Sequence, residues 1–148
     1  MNYAYITYYY PPDYGAGSFR SDSFVKKFSK KINSSDNLHI ITTIPNRYKY
    51  DLKIKKNLKK KNVYIHRIKI INHQEKLIKK TLAGMIYFII ALYLLIKIKP
   101  KIIIASSARL VSGLIAYIYS RFFNSKYFLD LRDLFSYLML DIYKNNFI

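Results

Sequence analysis

Four short segments carry residues whose types and spacing could do chemistry. In the first, Pro11-Pro12-Asp13-Tyr14-Gly15-Ala16-Gly17-Ser18-Phe19-Arg20 follows an apolar run. Glycines let a backbone pass close to a ligand. A helix starting there would offer N–H groups and its positive end to a phosphate, and Arg20 would add a charge in the first turn. In the second, Pro45 ends an apolar run and Asn46 and Arg47 follow, with donors suited to hydroxyls or phosphate. In the third, Ser106-Ser107 closes Ile102-Ile103-Ile104-Ala105 and either serine could cap a following helix. In the fourth, Asp130-Leu131-Arg132-Asp133 closes an apolar strand. Alternation would send Asp130 and Arg132 to one face and Leu131 and Asp133 to the other. Charges there are costly to bury unless paired or used. Asp130 and Arg132 are the catalytic candidates, with an edge salt bridge as the structural alternative. Gly15, Ala16, Gly17, Arg20, Asn46, Arg47, Ser106 and Asp133 are the candidates for substrate binding.

Several chemistries do not fit. The first loop is not a dinucleotide fingerprint, because Phe19 and Arg20 stand where a third glycine is needed. The second strand ends in Thr42-Thr43-Ile44 with no acidic residue for a ribose. There is no Gly-Lys-Ser or Gly-Lys-Thr phosphate loop and no Asp-x-Asp metal motif. The chain has no cysteine, which removes thiolate metal sites and cysteine nucleophiles. His39, His66 and His73 are too scattered for a metal cluster, so no metal and no cofactor is expected. His66 reads as strand packing, and His73 lies in a polar turn beside Gln74 and Glu75; neither is assigned a role.

The elements that must position these segments alternate. Ala4 to Tyr9, Leu38 to Thr43, Val63 to Ile70, Ile102 to Ala105 and Tyr127 to Leu131 read as strands. Phe24, Val25, Phe28 and Ile32 recur at helical spacing, so Ser18 to Ile32 reads as an amphipathic helix. A basic loop or short helix is expected up to about Asn62. A long apolar helix is expected from Lys76 to Ile98, ending before Pro100. Leu110, Val111, Leu114, Ile115 and Ile118 make the stripe of another helix, and Leu134 to Tyr143 begins a further one. This predicts an α/β protein: a Rossmann-like, doubly wound parallel sheet forming one domain over residues 1–148. Ligands of such sheets bind outside the carboxyl ends of the strands, where all four segments fall.

The formal net charge is +18, which suits anionic partners. Lys53, Lys55, Lys56, Lys59, Lys60 and Lys61 form a dense run that reads either as a patch for anionic headgroups or as a solvated face. No RNA- or DNA-binding motif accompanies the charge, so nucleic acid is not an expected partner. Thr81 to Ile96 is free of charge and flanked by lysines. It falls short of the roughly 20 residues of a spanning helix and sits between two strands. A buried or membrane-surface helix is therefore favoured over a single transmembrane helix within residues 81–98. The expected place is the cytoplasm, peripheral on the inner face of the plasma membrane.

Taken in order, Tyr-Tyr-Tyr-Pro-Pro-Asp-Tyr-Gly-Ala-Gly-Ser-Phe-Arg, Thr-Thr-Ile-Pro-Asn-Arg-Tyr, Ile-Ile-Ile-Ala-Ser-Ser and Asp-Leu-Arg-Asp-Leu-Phe span nearly the whole chain. Together they resemble the N-terminal domain of family 4 glycosyltransferases, most closely the bacterial surface-polysaccharide branch. The resemblance implies the N-terminal half of a GT-B fold that binds a sugar acceptor, often lipid-linked. It implies a nucleotide-sugar donor, held without a metal by a C-terminal half. In the family, the equivalents of Gly15-Ala16-Gly17 and of Asp130 to Asp133 line the cleft. A paired-glutamate motif belongs to that other half, and Glu75 is the sole glutamate here. The expectation is a truncated product, or a chain completed by a separate C-terminal half, that transfers sugar poorly alone. A non-catalytic, membrane-associated binding module or a gene remnant is the alternative.

Overall fold

The β-branched runs of this chain lie side by side in one sheet. The computed structural model describes residues 1–45, 57–70, 77–107 and 109–131. In chain order the elements are β1 (Asn2–Ile6), α1 (Ala16–Lys31), β2 (Asn37–Thr43), β3 (Asn57–Lys60), β4 (Val63–Ile68), α2 (Leu77–Ile98), β5 (Ile102–Ser106), α3 (Leu110–Phe123) and β6 (Lys126–Asp130). The strand order is β3-β4-β2-β1-β5-β6. Every pair is parallel except β3 with β4. This is the expected Rossmann-like α/β arrangement. The chain winds outward from β1 in both directions, so the carboxyl ends of β1 and β5 flank the switch point.

Helices cover both faces. On one, α1 packs Val25, with Phe24 and Phe28, against Tyr5, Leu38 and Ile40. On the other, α2 lays Tyr87, Ala91 and Leu95 over Ala4, Ile6, Ile41 and Ile103, with Ile115 and Ala116 of α3 beside them. The alanines let α2 approach the sheet closely. Leu95, fully buried, contributes about 2 kcal/mol. The Tyr87 hydroxyl lies 3.3 Å from the Thr7 carbonyl and 3.2 Å from that of Ile41, tying α2 to the ends of β1 and β2.

Four local expectations are corrected. The basic segment before Asn62 contains a strand, β3, antiparallel to β4; Lys61, with φ 52°, makes the turn between them. β1 ends at Ile6 rather than Tyr9, because the chain beyond leaves β5 while keeping the bonds Thr7 N–H to Ile41 and Thr43 N–H to Tyr8. β4 likewise stops at Ile68, not Ile70. Neither Ser106 nor Ser107 caps α3: Arg109 occupies the N-cap and makes no side-chain capping bond. The α3 end follows the ordinary rule, with Asn124 left-handed at φ 48°. The helix expected at Leu134 to Tyr143 lies outside the described residues.

Candidate functional site

The carboxyl edge of the sheet is built from the first loop upward. After β1 the chain runs through Tyr8 to Gly15 and turns into α1. Thr43 Oγ1 donates to the Tyr8 carbonyl at 2.7 Å, and Thr7 Oγ1 to the Tyr9 carbonyl at 3.1 Å. Arg67, at the end of β4, donates from Nη2 to the Pro11 carbonyl at 2.7 Å. β2, β4 and Thr7 just beyond β1 therefore hold this loop by side-chain bonds to its carbonyls. Gly15, at φ 155° and ψ 154°, takes a backbone conformation that L side chains rarely adopt. Its carbonyl accepts from the N–H groups of Ser18 and Phe19, and the helix opens at Ala16 and Gly17. Below it, Ser21 Oγ donates to the Gly17 carbonyl and accepts from the Tyr5 hydroxyl, joining the first turn to β1.

Two distant candidates meet here. The Arg20 guanidinium lies 2.7 Å from Asp130 Oδ1, across 110 residues of sequence. Both stay partly exposed, at 57% and 29% of the side chain, so the pair sits at the rim. Ser106 stands opposite Asp130 in the β5–β6 register. It is fully buried, and its hydroxyl is out of reach of solvent. Asn46, Arg47, Arg132 and Asp133 lie outside the described residues.

Two arginines were not singled out from the sequence. Arg109 packs its guanidinium 4.2 Å from the Tyr8 ring centre and donates to the Tyr9 hydroxyl at 3.1 Å. Burial pushes the Tyr8 hydroxyl up to about 12, against the opposing effect of Arg109, so Tyr8 is a neutral phenol at physiological pH. Arg67 is 4% exposed, and burial lowers its pKa while Tyr10 and Asp13 act in the opposite direction. Among the described residues, Arg67 Nε and Nη1, Ser18 Oγ and Ser106 Oγ have no hydrogen-bond partner. Buried polar atoms are rarely left so, and these lie at the ends of β4 and β5 and in the first turn of α1. The rule that flagged Asp130, a charge at the carboxyl end of an apolar strand, would also have found Arg67.

A second cluster lies on the α2 side. His39 Nδ1 is 3.1 Å from His66 Nε2, and the His39 ring stacks with both His66 and Tyr64. They line a cavity of about 800 Å³ with Lys69, Tyr93 and Lys97. Burial, then the neighbouring His66, lowers His39 to about 4; burial, then Lys97, lowers His66. Both are neutral imidazoles at pH 7. No group of three or more histidine, aspartate or glutamate side chains able to share a metal occurs among the described residues.

No protein-family model matches the chain, and no curated protein matches it.

The edge thus offers a glycine-bearing loop held by side-chain bonds, a rim pair of opposite charge and an arginine placed over aromatic rings. Such groups suit hydroxyls and phosphates. Of the dense lysine run, Lys53, Lys55 and Lys56 lie outside the described residues. Lys59 stands 5.1 Å from the Tyr64 ring centre, on the far edge of the sheet from Asp130.

Proposed function

We propose that the chain is the acceptor-side, N-terminal domain of a GT-B glycosyltransferase of family 4, serving surface-polysaccharide assembly. The observation that carries this reading is the Arg20–Asp130 pair. It joins the first-loop motif to the last-strand motif, two of the four segments on which the resemblance rests. In this reading Asp130 accepts a hydrogen bond from an acceptor hydroxyl. Arg20 holds the carboxylate and faces acceptor phosphate, and Gly15 to Gly17 let the acceptor approach the backbone. In this reading the nucleotide-sugar is gripped by the C-terminal half of the GT-B fold. Arg132 and Asp133 are carried along by the same motif.

The test is an NMR titration of the full chain with two probes, a short-chain polyprenyl-diphosphate-linked sugar and UDP-glucose. The acceptor analogue is expected to shift resonances of Arg20, Gly15 and Gly17, and Arg20→Gln to weaken it about tenfold, as loss of a charged hydrogen bond would. UDP-glucose alone is expected to leave them in place. An acceptor analogue that moves nothing at this edge sinks the proposal.

A further inference from the structure

The outer face of α2 is apolar along its whole length. Ala83, Tyr87, Ala91 and Leu95 form its buried stripe. On the opposite side Ile78, Leu82, Met85, Ile89, Tyr93 and Ile96 recur every three or four residues and are exposed, Ile78 at 80% and Ile89 at 65%. A helix at the surface of a water-soluble domain carries polar residues there. α3 lies beside α2 on the same side of the sheet and exposes Leu114 and Tyr117. Neither helix contains an acidic residue. Exposed lysines stand at both ends of α2: Lys79 and Lys80 at one, Lys97, Lys99 and Lys101 at the other.

We infer that the outer faces of α2 and α3 dock in the plane of an anionic lipid bilayer, with α2 lying along the interface. The apolar stripe enters the headgroup–acyl boundary, and the end lysines reach lipid phosphates. Charge decides the occupant. A second copy of this +18 chain would bring the two lysine clusters together, whereas anionic headgroups neutralise them. α2 also has the length and hydropathy of a membrane span, with 22% of its apolar window buried. Spanning would pull Tyr87 off the Thr7 and Ile41 carbonyls and strip the cover from β1. Lying flat keeps both. This inference is independent of the transferase reading: a chain that binds vesicles but no acceptor retains the first and loses the second.

The experiment is vesicle co-sedimentation of the full chain. Vesicles of neutral phosphatidylcholine are compared with vesicles carrying about 30% phosphatidylglycerol, at low and at high salt. Anionic vesicles are expected to bind the chain strongly and neutral ones weakly. Met85→Ser with Ile89→Ser is expected to lower binding by about tenfold per residue. Lys79→Gln with Lys80→Gln is expected to lower it about fivefold per lysine on anionic vesicles alone. Near-unchanged circular dichroism should accompany both, since these side chains face solvent. Binding indifferent to lipid charge, or untouched by the serine variant, overturns the inference. Resistance to carbonate extraction overturns it in favour of a span, and a dimer that the serine variant makes monomeric overturns it in favour of a second copy.

Discussion

Acidification should destabilise this protein through the His39–His66 pair. An unfolded imidazole titrates near 6.5, whereas folded His39 does so at about 4. The pair therefore contributes stability that is fully present above about pH 6.5 and is lost as pH falls toward 4, because the unfolded chain takes up protons that the folded one refuses. At about 1.4 kcal/mol per pH unit the drop from 6.5 to 4.5 is nearly 3 kcal/mol, and the partial exposure of the ring reduces it to about 2 kcal/mol. Burial sets the sign, and the charged neighbours act in the same direction. Lys97 on α2 and Lys69 beyond β4 line the cavity with Tyr64 and Tyr93, and among the described residues no carboxylate does. His66 is lowered as well and adds in the same direction. The assay is urea unfolding at pH 7.5 and pH 4.5 of the natural chain and of His39→Asn, which keeps a polar atom near Nδ1. The natural chain is expected to lose about 2 kcal/mol more than the variant over this interval. Equal losses would refute the reasoning, because the acid sensitivity would then lie in other groups.

Tyr87→Phe should cost about 1–2 kcal/mol in urea unfolding, since it leaves buried carbonyls at the ends of β1 and β2 with a poorer bonding set. Arg20→Gln and Asp130→Asn should each change stability by less than about 1 kcal/mol, because the pair is partly solvated; acceptor binding by NMR should fall nonetheless. Gly15→Ala should destabilise by about 1–3 kcal/mol through backbone strain at φ 155°, read as a lowered urea midpoint. Gly84→Ala should instead stabilise by about 1 kcal/mol, because an added Cβ meets nothing within 4 Å and α2 gains helix propensity.

Much of the architecture was legible in the residues themselves. Runs such as Ile102-Ile103-Ile104 and the helical spacing of Phe24, Val25 and Phe28 depend on local periodicity, which is why β5 and α1 fall within a residue or two of their expected ends. The alternation of strand and helix fixed the parallel sheet. The carboxyl edge followed from the same pattern. β3 was not legible, because a lysine-rich segment has no apolar alternation; it becomes a strand by pairing with the edge of β4.

What tertiary structure decided is which distant residues meet. Arg20 and Asp130 are neighbours because α1 starts over the carboxyl end of the sheet and β6 ends there. His39 and His66 meet because the β2–β4 register places His39 beside Tyr64 and Ile41 beside His66, which no spacing in a single strand reveals. Arg67 belongs to the first loop only once β4 lies beside β2. The sequence also leaves the two sides of α2 alike, since both are apolar. Only packing makes Tyr87 a core residue and Ile89 an exposed one, because a sheet can cover one side of a helix and must leave the other to whatever solvent the protein meets.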